Sequence, residues 1–161
     1  MTRLSPVILL LQHYGTHTEG TPMTTPNRIA ALRYALIAVG ATFILGLKTL
    51  SIVWPSGWSW GVGHSHYWPM ILGVYATLGV FLIRASGNPL ANRSLIWFTV
   101  WSSVVHAVVM GAMAFADPAE AGHQVGDVPA LLLVAIALGV LMRRAETTVA
   151  IRGQGDARRV A

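Results

Sequence analysis

The chain has 161 residues, of which 54% are apolar and only 11% charged, and its mean hydropathy is +0.58. A soluble domain of this size carries about 25% charged residues, so this composition excludes a fully water-wetted surface and points to one compact unit facing lipid. The net charge of +5 and pI near 10.5 do not require a nucleic-acid partner, because the arginines fall at the ends of apolar segments; with no cysteine, disulfides, thiolate chemistry and Cys-ligated zinc are excluded as well.

Residues Met1 to Pro26 are polar and punctuated by Pro, Gly and Thr, and their one apolar run, Val7 to Leu11, is too short for a signal-peptide core. They read as a disordered N-terminal extension. Glu19-Gly20 would be encoded by a purine-rich sequence resembling a ribosome-binding site, which makes Met23 the expected natural start. An N-terminal peptide of the native protein containing earlier residues would refute that.

Four apolar segments follow, Ile29 to about Val53, Tyr67 to Ile83, Leu95 to Ala116 and Val128 to Met142. A membrane-crossing helix needs about 20 apolar residues, and roughly 17 to 25 is usual. The fourth segment therefore needs its flanks to reach across. No segment carries a charged face that would meet water. The expected fold is an all-α membrane protein, a four-transmembrane-helix bundle occupying residues 27–144, with 145–161 a flexible basic cytoplasmic tail.

Ten of the eleven Lys and Arg residues lie on one side of this arrangement: Arg3, Arg28, Arg33, Arg84, Arg93, Arg143, Arg144, Arg152, Arg158 and Arg159. The positive-inside rule then places both termini in the cytoplasm. Lys48 stands 20 residues after Arg28, about 30 Å at 1.5 Å per residue, and so reaches the outer interface. There it anchors in the headgroups or pairs with Asp117, Glu120 or Asp127 of the outer loops.

The first outer loop, from Trp54 to Trp68, holds four of the six tryptophans. It reads as an aromatic belt at headgroup level or as a lid over a binding site. Trp97, Trp101 and Tyr34 mark the inner interface in the same way. In the second outer loop, Asp127 followed by Pro129 opens the fourth helix, with the carboxylate placed to cap it.

Small residues at four-residue intervals, Ala38, Thr42 and Gly46, Gly73 and Thr77, Ser103, Ala107 and Gly111, and Ala135 and Gly139, predict close helix contacts on all four segments. Asn27-Arg28 and Asn92-Arg93 open two similar hairpins, each with a proline after its first helix, Pro55 and Pro118. Two parallel hairpins would fit, on slight identity.

His106 lies 12 residues after Ser94, about 18 Å into the membrane. With Thr99, Ser102 and Ser103 it forms a polar stripe, and an ionisable side chain at that depth is a functional candidate. The alternative is a neutral imidazole that only strengthens packing. Tyr75 and Thr77 are its expected polar neighbours. On the outer side, His64, His66, Asp117, Glu120, His123 and Asp127 are the remaining candidates. Asp117, Glu120 and His123 share a helical spacing but match no metal signature. No catalytic motif, phosphate loop or intramembrane His pair is present, so no catalytic residue, metal or cofactor is expected.

The stretches Trp54-Pro55-Ser56-Gly57-Trp58, Leu72 to Phe81, Arg93 to His106 and Gly126 to Leu131 resemble a group of small bacterial membrane proteins catalogued only as a domain of unknown function. The similarity covers about Arg28 to Arg144. It implies four helices and a bacterial cytoplasmic membrane, and brings no activity with it. Three functions stay open: a non-enzymatic accessory or binding subunit, alone, as a homo-oligomer or in a larger membrane complex; a small carrier or channel with a polar path along Thr99, Ser102 and His106; and a membrane enzyme or redox partner acting on a lipid or quinone.

Overall fold

The computed structural model describes residues 25–58 and 67–160. Helix α1 (Thr25–Ala41) passes through a π-helical turn (Thr42–Gly46) into α2 (Leu47–Val53) as one continuous rod. A short α3 (Pro55–Trp58) follows, then α4 (Tyr67–Ala85), α5 (Arg93–Ala116), a 3-10 segment (Pro118–Gln124) and α6 (Asp127–Val160). The fold is all-helical, with no strand among the described residues. Four spans are long and apolar enough to cross a membrane, Asn27–Val53, Trp68–Ala85, Arg93–Ala116 and Pro118–Ala150.

Close packing joins α5 to α6, α6 to α1, and α1 to α4. The fourth side of the bundle, between α4 and α5, is not closed in this way. Leu32, Leu36, Leu82, Ile96, Leu138 and Met142 are fully buried and form the core towards the arginine-bearing end. Outward-facing Leu45, Val74, Phe98, Val108, Phe115, Leu133 and Ile136 are exposed, so all four spans present apolar side chains to their surroundings. A continuous apolar exterior of this kind requires lipid or protein against it.

Gly40 and Gly79 set the α1–α4 crossing. A Cβ at either position would lie 2.6 Å from the other's carbonyl oxygen, so only hydrogen fits. The four-residue pattern pointed elsewhere on these two helices: Thr42 is exposed and Gly73 has open space beside it. On α5 and α6 the pattern does mark the contact. Ser103, Ala107 and Ala135 are buried, and Gly139 packs on Val100.

The last helix departs from the expected flexible tail. It does not end at Arg144 but runs on to Val160. Leu138, Met142 and Ala145 are all fully buried, continuing one face of α6. Arg28 donates to Thr148 Oγ1 at 3.2 Å, and Trp97 Nε1 donates to Glu146 Oε1 at 3.4 Å. Small and polar side chains at these positions pack against neighbours, a burial that an apolar-stripe criterion does not register.

Candidate functional site

The π-helical turn is where the site begins. The Leu47 N–H donates to the Thr42 carbonyl, five residues back, so one residue is accommodated beyond the normal helical repeat. That bulge turns Thr42, Phe43 and Leu47 onto the wall of a half-open cavity of about 290 Å³. Its other walls come from Trp58 on α3, Trp68, Ile71 and Tyr75 on α4, His106 and Met110 on α5, and Asp127, Ala130, Leu131 and Val134 on α6. The α6 residues recur at i, i+3, i+4 and i+7, which is one face of a helix. The cavity is therefore built by every long helix, in the half of the bundle remote from the arginines.

Its interior is mainly apolar and rich in rings. Phe43 meets Tyr75 edge to face, with centroids 4.9 Å apart and planes at 81°, a favourable quadrupole arrangement. Tyr75 Oη lies 2.7 Å from His106 Nδ1. This bond bridges α4 to α5 on the side where the helices do not pack closely. Beyond it lies a second hollow of about 450 Å³, lined by Met70, Ile71, Val74, Tyr75, Leu78, Phe98, Ser102, Ser103 and His106. Tyr75 and His106 therefore line both hollows.

A second polar cluster sits at the other end of the cavity. His123 is fully buried; its Nδ1 lies 2.7 Å from Asp127 Oδ2 and its Nε2 lies 3.3 Å from Glu120 Oε2. The 3-10 segment that carries it is held by three contacts. Asp117 Oδ1 accepts from the Ala119 N–H at 2.9 Å, Gln124 Nε2 donates to the Gly111 carbonyl at 2.8 Å, and Gly122 abuts the Ser56 backbone so closely that no side chain fits there. Asp127 opens α6 as expected, but its side chain is only 9% exposed and belongs to the cavity wall. Gly111 faces Val128 and Gly139 faces Val100, which fixes the antiparallel register of α5 and α6. In that register His106 lies about six residues below the level of Asp127, roughly 9 Å.

The structure thus brings together residues that the sequence left on separate surfaces, His106 and Tyr75 within the spans and His123 and Asp127 at an outer loop. The Tyr75 neighbour of His106 is found as expected. Thr77 is not one: its hydroxyl donates to the Gly73 carbonyl of its own helix at 2.9 Å. Within the polar stripe the hydroxyls of Thr99 and Ser102 donate to their own helix. Thr99 Oγ1 bonds the Leu95 carbonyl and Ser102 Oγ bonds the Thr99 carbonyl, at 2.9 and 3.2 Å. Lys48 is exposed and takes part in none of the ion pairs among the described residues, so it is not the partner of Asp117, Glu120 or Asp127. Among the described residues no group of three or more His, Asp or Glu is placed to hold a metal. His64 and His66, with the 1–24 part of the N-terminal extension, lie outside the described residues.

Trp58, Trp68, Phe43, Thr42 and Met110 are wall residues that the sequence reading did not assign to a site. For the two tryptophans the aromatic loop was a usable signal, since a lid was one of its two readings. For Phe43 and Thr42 nothing in the local pattern announces the π turn.

The fold and the site define the class, an all-α bundle of four apolar spans enclosing a ring-lined cavity with polar groups at both ends. The chain belongs to the family of unknown function DUF6632, whose model matches residues 24–161. The match runs past Arg144 to the end of the chain, beyond the stretch carrying the resemblance. Comparison with curated proteins gives no match, nor does comparison with solved structures.

Proposed function

We propose that the protein is a multi-pass protein of a bacterial cytoplasmic membrane, both termini cytoplasmic, acting without catalysis as a binding subunit that holds a small lipophilic molecule. Three observations support the membrane placement: four apolar spans, an exposed apolar exterior, and arginines gathered at one end while Trp58, Trp68 and Lys48 lie towards the other. The observation that carries the binding role is the cavity itself. Closely packed bundles leave little space between their helices, whereas this one leaves a half-open cavity of about 290 Å³ between converging helix faces. Pockets for small molecules are of this kind, largely apolar with a few placed polar groups.

A carrier or channel function is less well supported, because the Thr99 and Ser102 hydroxyls are spent on their own helix. Trp58 and Trp68 line the cavity, so their fluorescence reports on its occupant. Titration of para-dibromobenzene, a heavy-atom quencher, into protein in nanodiscs should quench saturably, near one molecule per chain. Leu131→Trp fills the cavity and should abolish the saturable component. Quenching that rises linearly and identically in both proteins would refute the binding role.

A further inference from the structure

We infer that the ligand is a lipophilic phenol, an aromatic ring bearing a hydroxyl that both donates and accepts a hydrogen bond at the Asp127–Trp58 end of the cavity. The inference rests on the binding role proposed above and names its chemical class. Two residues of the cavity wall carry buried polar atoms with no hydrogen-bond partner, Asp127 Oδ1 and Trp58 Nε1. Leaving such an atom without a partner is costly, more so for a charged group. Their needs are opposite. A carboxylate oxygen only accepts and an indole N–H only donates, and a hydroxyl is the smallest group that serves both.

The aromatic part follows from the walls and the size. Phe43, Trp58, Trp68, Tyr75 and His106 present five rings to the space, and rings pack on rings by offset and edge-to-face contact. A cavity of about 150 Å³ holds benzene; this one, at about 290 Å³, takes a substituted monocyclic ring. A para substituent would extend from Asp127 towards Tyr75 and His106, roughly 9 Å deeper along the α5–α6 register. An ammonium group answers the carboxylate alone and leaves the Trp58 N–H unmet; a hydrocarbon answers neither.

The test is isothermal titration of four probes of one shape into protein in nanodiscs, with empty nanodiscs as the blank: para-propylphenol, para-propylanisole, propylbenzene and para-propylbenzylamine. The phenol should bind at least tenfold more tightly than the anisole, which accepts but cannot donate. Asp127→Asn, whose amide oxygen still accepts but carries no charge, should reduce that preference several-fold. Trp58→Phe, which keeps a ring and does not disturb the His123–Asp127 bond, should reduce phenol affinity several-fold more than it reduces propylbenzene affinity. Equal affinities across the first three probes would overturn the phenol assignment while leaving the cavity's binding role intact. Tightest binding by the amine would overturn it in favour of a cation, and binding of none, with water alone bridging the two atoms, would overturn both.

Discussion

The two ends of the bundle are built differently. At the arginine end the polar groups are committed to one another: Arg28 to Thr148, Arg33 to the Gly87 carbonyl at 3.1 Å, Trp97 to Glu146, and the Arg143 guanidinium 5.9 Å from the centre of the Trp97 ring. The core beside them is closed, with Leu32, Leu82, Leu138 and Met142 at zero exposure. At the opposite end the helix is bulged, a 3-10 segment replaces a direct turn, a cavity is left open, and two buried polar atoms lack partners. A bulged helix, an open cavity and unmet polarity are concentrated in one half. One half is closed by apolar packing, and the other holds the proposed binding cavity.

Substitutions can break this contrast. The largest effect is expected at the closed crossing: Gly79→Leu drives a side chain into the Gly40 carbonyl and should prevent the protein from accumulating in membranes, read by immunoblot of the membrane fraction. Next come two truncations of the same chemistry. Leu138→Ala in the closed core should destabilise by about 2–5 kcal/mol, as buried leucines typically do. Leu131→Ala, on the wall of an existing cavity, should lower stability less while enlarging the space. Denaturant titration in mixed micelles compares the two, and equal losses would erase the distinction between the halves. Tyr75→Phe removes the hydrogen bond between α4 and α5 and should lower stability by about 1 kcal/mol, read in the same titration. Smallest is Trp97→Phe, which gives up a long hydrogen bond at the inner surface and should shift the midpoint by a few tenths of a kcal/mol.

Much of the architecture is legible in the residues, because long apolar runs bounded by arginine and proline mark the four helices. The spans begin and end within a few residues of where hydropathy and proline place them, and the depth of His106 follows from helical rise alone. Depth is one coordinate; the neighbour around the bundle is another. Asp127 and His123 read as outer-loop residues, yet the register of α5 and α6 puts Asp127 on the cavity that His106 also lines. The crossing at Gly40 and Gly79 escaped notice because neither glycine has a small residue four positions away; a single pair of facing glycines suffices when backbones touch. The terminal helix was missed for a related reason: Ala145 and Thr148 are small or polar, and their burial depends on α1 lying beside them.

The central question is whether the cavity holds an organic guest. Native mass spectrometry of the protein, released gently from the membranes in which it was made, tests this directly. A single small-molecule adduct in the unaltered protein, absent from Leu131→Trp of equal thermal stability, is the predicted result. Both proteins appearing only at the masses of their own chains, with no adduct on either, would contradict it.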